Sequence, residues 1–187
     1  MPRLVEEPED AEAQALSKAQ GIYLPSLYDY GCDILGDAGY WHEPLHRSIA
    51  EWMTNWKPGR YVKLLVIPRE HGKPSWTANL IVHTSANHPD FRVLNAHALI
   101  KLGTGACRSI KNKMAKPLAH WLTPGVFWDK TSDSPLWPQD QFALPHSEQH
   151  TPSFTLSSEN SNTTGQHYNL VILDDLVHKD NVTSKEL

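Results

Sequence analysis

Two short aliphatic runs, far apart in the 187-residue chain, most constrain its fold. Residues 61–67, with the sequence YVKLLVI, lie between turn-forming residues, and residues 168–173 end in four aliphatic side chains. Runs of this length and composition are typical of buried strands in a parallel sheet. The first run leads through a loop into a helical pattern, so strands and helices alternate. This order predicts an α/β fold with a mostly parallel sheet flanked by helices.

The remaining elements are predicted from spacing and turn residues. Apolar side chains recur at helical intervals over residues 44–56, which indicates an amphipathic helix whose first turn tolerates proline. A helix that continues to about His83 follows the loop at 68–72. Further strands are predicted at 91–96, 141–144, 153–158 and 168–173, and a further helix at 97–116, where Gly103 and Gly105 weaken the pattern.

Composition indicates one globular domain. Hydrophobic residues make up 40% of the chain and charged residues 20%, as in ordinary soluble domains. Residues 1–40 are predicted to form an acidic, weakly structured leader, and residues 41–187 the folded domain. No apolar run approaches the roughly 20 residues that cross a bilayer, and the N-terminus has no secretory signal, so we expect a cytoplasmic protein. Cys32 and Cys107 are expected to be reduced thiols.

Charge is distributed unevenly along the chain. Residues 57–117 contain eleven Lys or Arg against two acidic residues, although the whole chain carries a net charge of -4. A positive segment is expected where phosphate is bound. Two interpretations of the helical part of this segment stay open: its cations follow a DNA backbone, or they form an ordinary solvated helix face. The residues concerned are Lys101, Arg108, Lys111 and Lys116.

The loop after the first aliphatic run has the context of a phosphate-binding loop. It lies between a predicted strand and a predicted helix, so that backbone N–H groups and the positive end of the helix dipole face an anion while Lys73 reaches it. The second run ends in Asp174 and Asp175. Paired acids at the end of a buried strand indicate a Mg²⁺ ligand, Asp174, beside a carboxylate that polarises water, Asp175. The alternative interpretation is that Lys73 is an exposed lysine in a loop and that Asp174 and Asp175 form a turn on the surface.

Taken together, these motifs resemble the ATPase domain of phage large terminase subunits, the motors that package DNA. The likeness runs from about Glu43 to the C-terminus, and it depends on His46 with its helix, on the sequence PREHGK at 68–73 and on TGQHYNLVILDDLV at 164–177. The resemblance implies an additional-strand P-loop NTPase fold, with ATP and Mg²⁺ as ligands. It implies hydrolysis coupled to packaging of double-stranded DNA, with a portal, a small terminase subunit and a homo-oligomeric ring as partners.

The same resemblance assigns the residues of the site. Lys73 and Arg69 would contact phosphate, Arg69 at the γ-phosphate or as a sensor of a neighbouring subunit, and Asp175 would be catalytic. Asp174 and Ser75 would hold the metal. The nucleotide loop as a whole would comprise Arg69, Glu70, His71, Gly72, Lys73, Pro74 and Ser75.

Two departures from the family pattern favour a competing hypothesis, a non-hydrolysing nucleotide- or DNA-binding remnant. Pro74 occupies the position of a Ser or Thr that binds Mg²⁺, and it supplies neither a hydroxyl nor an N–H. Loss of one charge-assisted hydrogen bond costs about 1.5–3 kcal/mol, unless Ser75 takes over with Pro74 in the first helical turn. The family also has a further strand between those that end at Ile67 and Asp174, so we expect an incomplete domain with unpaired strand edges.

Two other patterns carry weaker functional interpretations. His42 and His46 fit the H-E-x-x-H spacing of zinc proteases, but Pro44 belongs in a first helical turn and leaves His42 outside the helix. We therefore expect His46 to line the nucleotide pocket or to cap the sheet. A second group of aromatic residues either stacks on bases or, as we favour, packs in a core or lid: Trp121, Phe127, Trp128 and Trp137.

Overall fold

The computed structural model describes residues 24–39, 41–56, 59, 62–68, 71–88, 90–128, 140–145, 152–158, 161, 163 and 165–174. Its helices are α1 (Leu27–Asp29, continued by a π-helical turn at Tyr30–Ile34), α2 (Leu45–Thr54), α3 (Lys73–Asn87), α4 (Ile100–Met114) and α5 (Pro117–Leu122). Its strands are β1 (Val93–Ala96), β2 (Gln141–Phe142), β3 (Phe154–Ser157) and β4 (Leu170–Leu173). The predicted α/β class is confirmed, and α2, α3 and α4 lie where helical spacing indicated.

The four strands form one mixed sheet in the order β2-β3-β1-β4. The central strand β1 runs parallel to both neighbours, with Val93 opposite Phe154 on one side and opposite Leu170 on the other. Only β2 is antiparallel to its neighbour. The mostly parallel sheet was predicted, and so were the positions of these four strands. Because the carboxyl ends of parallel strands meet at one edge, the residues that follow β1, β3 and β4 are brought together there.

The strand predicted at 61–67 is wrong. Residues 62–68 belong to no strand of the described sheet, and in that sheet β4 pairs only with β1. The segment keeps the alternation of a strand, since Leu65 and Ile67 pack against buried residues while three side chains on the other face are at least four-fifths exposed. A β-branched run becomes a strand only where a neighbouring backbone pairs with it. The exposed side chains are Val62, Leu64 and Val66.

Lys63 fastens this segment to the end of α2. Its Nζ donates hydrogen bonds to the carbonyl oxygens of Trp52, of Met53 at 3.1 Å and of Asn55 at 2.6 Å. The same ammonium lies 4.6 Å from the ring centroid of Trp56. Carbonyl groups in a last helical turn have no intrahelical donor and carry the negative end of the dipole, so a cation there stabilises the helix. Lys63, one of the predicted cluster of basic residues, therefore contributes to the fold.

The fold begins before residue 41, so the predicted boundary of the leader is wrong. Leu27, Tyr30 and Leu35 are each no more than 1% exposed and belong to the two hydrophobic cores. Arg47 joins α2 to this region through an ion pair with Asp29 at 3.1 Å. The prediction was based on the acidic composition of the first residues and missed the apolar helical segment α1 near residue 30. Residues 1–23 lie outside the described part of the chain.

Helices α3 and α4 pack against each other, and α4 packs against β3 of the sheet. Ile81 and Val82 of α3 join Cys107 and Ile110 of α4 in the larger core, and this core also includes Val93 of β1. A second core lies around α2 and the first turn of α3. Both cysteines are free thiols, as expected. No helix in the described ranges is long and apolar enough to cross a membrane.

The aromatic residues between α5 and β2 have separate surroundings. Phe127 is buried in the larger core, and the indole Nε1 of Trp128 donates to the carbonyl oxygen of Ala143 at 2.7 Å. Trp121 is 77% exposed on α5, a helix that spacing did not predict. Core packing is thus confirmed for Phe127 but not for Trp121. Trp137 lies outside the described residues.

Gly103 allows α4 to approach the sheet closely. A Cβ atom added at Gly103 would lie 2.2 Å from Cδ1 of Leu156 in β3, whereas a Cβ at Gly105 would meet no atom within 4 Å. Both glycines were expected to weaken the helical pattern. Packing requires only the first of them, because a side chain there would overlap the core.

We expect Gly103→Ala to lower the free energy of unfolding by about 1–3 kcal/mol, because Leu156 must leave its place in the core. The matched control, Gly105→Ala, should raise it by about 0.5–1 kcal/mol through helix propensity alone. Urea unfolding followed by circular dichroism measures both changes. Equal effects of the two substitutions would contradict the close approach of α4 to β3.

Candidate functional site

A lysine and an aspartate from distant parts of the sequence meet at the carboxyl edge of the sheet. Nζ of Lys73 lies 2.7 Å from Oδ1 of Asp174. The lysine side chain is 39% exposed and the aspartate side chain only 11%, so the aspartate is largely enclosed while the lysine is partly open to solvent. The juxtaposition of these two residues was predicted from the sequence, and it is present in the structure.

Backbone pairing positions Asp174. Its N–H donates to the carbonyl oxygen of Ala96 at 2.9 Å, which continues the β1–β4 ladder one residue beyond β4. His97, directly after β1, is 4% exposed, and its backbone N–H donates to the carbonyl oxygen of Ser157. Asp174 and His97 thus follow neighbouring parallel strands at the same level. The register fixes the carboxylate at the sheet edge before any side-chain contact is made.

A left-handed glycine positions Lys73. Gly72, the N-cap of α3, has φ +70° and ψ 23°, a conformation that favours glycine, and its carbonyl accepts the first helical bond from Trp76 N–H at 3.0 Å. The helix begins at Lys73, with Pro74 in its first turn. The placement of Pro74 in the first helical turn, which the sequence analysis left open, is therefore confirmed. Proline is tolerated there because first-turn N–H groups lack intrahelical acceptors.

Ser75 is held by a buried polar network that the sequence did not reveal. Oδ2 of Asp37 accepts hydrogen bonds from Ser75 Oγ at 2.6 Å, from Asn79 Nδ2 at 2.7 Å and from Lys113 Nζ at 2.8 Å. The Lys113 side chain is 9% exposed and that of Asp37 13%. Asp37 thus joins the first turns of α3 to the end of α4. Its position in a short GDAG turn gave no periodic signal that could have identified it.

The environment of Asp37 keeps its carboxyl group ionised. Burial acts to raise the pKa of Asp37, but hydrogen bonds from Lys113, Ser75 and Asn79, together with the charge of Lys113, outweigh it and hold the pKa below its ordinary value of 3.8. The Ser75 hydroxyl donates to this carboxylate, and both of its lone pairs therefore stay available to another group. Ser75 is in this way oriented as an acceptor or metal ligand.

His46 belongs to a stack of aromatic rings beside the loop. Its ring lies 5.6 Å from that of Trp76 at an angle of 21°, and Trp76 in turn stacks on Trp41 at 3.9 Å and 12°. His42 precedes α2, as expected, and its backbone N–H donates to Nδ1 of His46 at 2.6 Å. In the described ranges no three His, Cys, Asp or Glu side chains gather around a possible metal position. The geometry thus gives the H-E-x-x-H spacing no support as a zinc site.

Only some of the four cations predicted to form a basic helix face are exposed. Lys101 and Arg108 are exposed on α4, but Lys111 is 7% exposed, and its burial lowers its pKa. Lys116 is half-buried. Neither open interpretation of the whole set is therefore right, since at least one of the four cations is in the interior.

The remaining predicted site residues divide into two groups. His71 and Gly72 are half-buried and directly precede Lys73. Arg69, Glu70 and Asp175 lie outside the described residues.

The donor set suits a phosphate group with a hard divalent cation. A lysine ammonium and the N-terminus of the 15-residue helix α3 attract an anion. The buried carboxylate of Asp174 and the hydroxyl of Ser75 are oxygen ligands of the kind that Mg²⁺ prefers. Two indole N–H groups in the neighbouring stack, those of Trp41 and Trp76, are buried without an acceptor among the described residues.

Comparisons with known proteins give this site no further description. No protein-family model, no curated protein and no solved structure matches the chain. The functional interpretation therefore depends on the residues of the site and on their geometry.

The Asp37 network predicts a loss of stability in acid. Its carboxyl pKa is lower in the folded than in the unfolded chain, so the stabilisation is complete above about pH 4 and is lost as the pH falls through the folded-state pKa. Asp37→Asn should lower the free energy of unfolding at pH 7 by about 1–3 kcal/mol, because Lys113 then stays buried without its charge partner, and should remove this part of the acid dependence.

The matched control is Asp33→Asn, which changes an exposed aspartate close by. Urea unfolding at about pH 7 and about pH 3 measures the difference between the variants. The network would have no energetic role if Asp37→Asn and Asp33→Asn behaved alike at both pH values.

Proposed function

We propose that this chain is a P-loop nucleotide-binding domain of the additional-strand class, similar to phage large terminases, that binds ATP with Mg²⁺ and hydrolyses it to drive packaging of double-stranded DNA. One observation carries the proposal. Lys73 begins a long helix after a glycine-containing loop, Asp174 ends a parallel strand, and their charged atoms are 2.7 Å apart. Loop, helix N-terminus and strand-end carboxylate are the parts that phosphoryl-transfer sites of this kind require.

The Lys73–Asp174 ion pair is compatible with the binding of a phosphate and a metal ion. Each partner would exchange the other for a ligand charge: Lys73 for a phosphate oxygen and Asp174 for Mg²⁺. Because both exchanges replace one opposite charge by another, neither group is left uncompensated when the ligand binds. When bound, Mg²⁺ would neutralise charge on the phosphates. Ser75, held by Asp37, supplies the hydroxyl that Pro74 cannot.

The other roles follow the sequence motifs. Asp175 comes directly after the metal ligand, where a second carboxylate would polarise water, and Arg69 would contact the γ-phosphate or a neighbouring subunit. We extend the proposal to DNA as a partner, since Lys101 and Arg108 are exposed on α4. A portal, a small terminase subunit and a ring of identical subunits belong to the same proposal.

Pro74 favours the competing candidate, a domain that binds nucleotide or DNA without hydrolysis. Proline removes one backbone N–H donor from the first turn of α3, at the helix end that would face the phosphates. A remnant that binds nucleotide shares ATP binding with the ATPase and differs from it only in turnover, whereas a remnant that binds DNA alone lacks both.

Calorimetric titration with Mg-ATP tests binding. We expect Lys73→Ala to weaken ATP binding at least tenfold, the loss expected for about 1.5–3 kcal/mol of charge-assisted hydrogen bonding. Lys101→Ala, which removes an exposed lysine from α4, should leave the affinity for ATP unchanged. Thermal melting shows that each variant is folded. Absence of heat at millimolar ATP for the unaltered chain would exclude the ATPase and the nucleotide-binding form of the remnant.

Phosphate release under Mg-ATP separates hydrolysis from binding. The proposal expects turnover that Asp175→Ala abolishes and that Pro74→Thr increases, since threonine restores an N–H donor and adds a hydroxyl. ATP binding without turnover in the unaltered chain, with turnover restored by Pro74→Thr, would favour the non-hydrolysing remnant. Turnover that survives Asp175→Ala would contradict the assigned mechanism.

A further inference from the structure

The indole of Trp41 is a buried hydrogen-bond donor with no acceptor. Trp41 is 5% exposed, and its Nε1 has no hydrogen-bond partner among the described residues. A buried N–H without a partner costs free energy, and native proteins leave few of them. An explanation is therefore needed for why this donor is retained next to a helix N-terminus.

The donor faces the loop. Nε1 of Trp41 lies 4.0 Å from the point where a Cβ atom on Gly72 would be, and Cβ of Ser75 lies 4.0 Å from the same point. The indole N–H therefore reaches the side of the loop on which the first turn of α3 begins. This side also carries Ser75, whose hydroxyl is oriented by Asp37.

The ring is fixed in place by packing on several sides. One face stacks on Trp76 at 3.9 Å, and the ring of Tyr28 lies 5.7 Å away. The opposite end of the indole is so close to Gly31 that a Cβ there would lie 2.4 Å from Cη2 and Cζ3 of Trp41. A donor held by packing loses little rotamer freedom when it forms a hydrogen bond, so it binds a ligand at low entropic cost.

We propose that Trp41 is a further binding residue of the phosphate site, with its indole N–H donating to a phosphate oxygen of the ligand at Gly72–Lys73. The inference rests on the proposed nucleotide function and adds a neutral donor to the cation and backbone groups described above. Two glycines explain why the indole fits: the buried Gly31 leaves room for its benzo edge, and Gly72 places no side chain between the indole N–H and the loop.

Sodium tripolyphosphate, which carries the phosphates of a nucleotide without its base, is the probe. We expect Trp41→Phe to weaken tripolyphosphate binding about tenfold by calorimetry, the loss of one hydrogen bond to a charged group. The melting temperature shows that the variant is folded, and we expect it to fall, since phenylalanine keeps a ring in the stack but leaves a cavity beside Gly31. A purely structural role for Trp41 would leave the affinity unchanged.

Trp76→Phe is the matched control. Trp76 belongs to the same stack and also has an unpartnered Nε1, but none of its atoms lies within 4 Å of the Cβ point at Gly72. We expect its tripolyphosphate affinity to equal that of the unaltered chain. Equal loss in both variants would mean that the stack, and not the Trp41 donor, affects binding, and would overturn the inference.

An NMR measurement observes the donor itself. In ¹⁵N-labelled protein the indole N–H signal that Trp41→Phe removes should shift downfield as tripolyphosphate is added. A signal that stays in place at saturation overturns the inference. If Lys73→Ala abolishes binding while Trp41→Phe does not weaken it, only the role of Trp41 fails. If Lys73→Ala also binds normally, or the unaltered chain binds no tripolyphosphate, the proposed function fails with it.

Discussion

The parallel register between β1 and β4 is the constraint on which the site depends. It carries the backbone ladder up to Asp174 and so fixes a largely buried carboxylate at the edge of the sheet. The left-handed turn at Gly72 then begins α3 next to that edge and brings Lys73 to within 2.7 Å. A one-residue slip of β4 would turn its side chains to the opposite face and separate the pair. The ion pair is therefore a product of backbone geometry more than of attraction between two exposed charges.

The buried Asp37 network stabilises the start of α3, which carries Lys73. Lys113 at the end of α4, and Ser75 and Asn79 in α3, converge on one carboxylate oxygen, which holds the two helices together next to the loop. Charged groups inside a protein are stabilising only when each has its partners, and here the carboxylate has three donors. The same hydrogen bonds that hold the two helices together also orient the Ser75 hydroxyl at the site.

Local patterns were sufficient to predict part of the molecule. The amphipathic spacing of α2 and the aliphatic runs of β1 and β4 are properties of consecutive residues, and the structure contains those elements. The approach of Lys73 to Asp174 was predicted by placing both residues after strands of one parallel sheet, but only Asp174 follows such a strand, and Lys73 reaches the same edge through the turn at Gly72. These are features that depend on secondary-structure periodicity and on general rules of strand topology.

Features that depend on contacts across the fold could not be predicted in this way. Residues 62–68 have a strand's alternation but no neighbouring strand in the described sheet, and pairing is not encoded in the segment itself. The roles of Asp37 and Trp41 come from partners far along the chain, at positions without periodic signals. The importance of Gly103 likewise lies in Leu156, on a strand whose distance from α4 no local pattern gives.

A crystal structure with Mg²⁺ and a non-hydrolysable ATP analogue tests the central claim most directly. The account predicts that the triphosphate lies on the first turn of α3, that Lys73 Nζ has moved from Asp174 to a phosphate oxygen, and that Asp174 faces the metal directly or through water. An analogue bound elsewhere, or bound while the Lys73–Asp174 ion pair stays intact at its present 2.7 Å, would contradict the account.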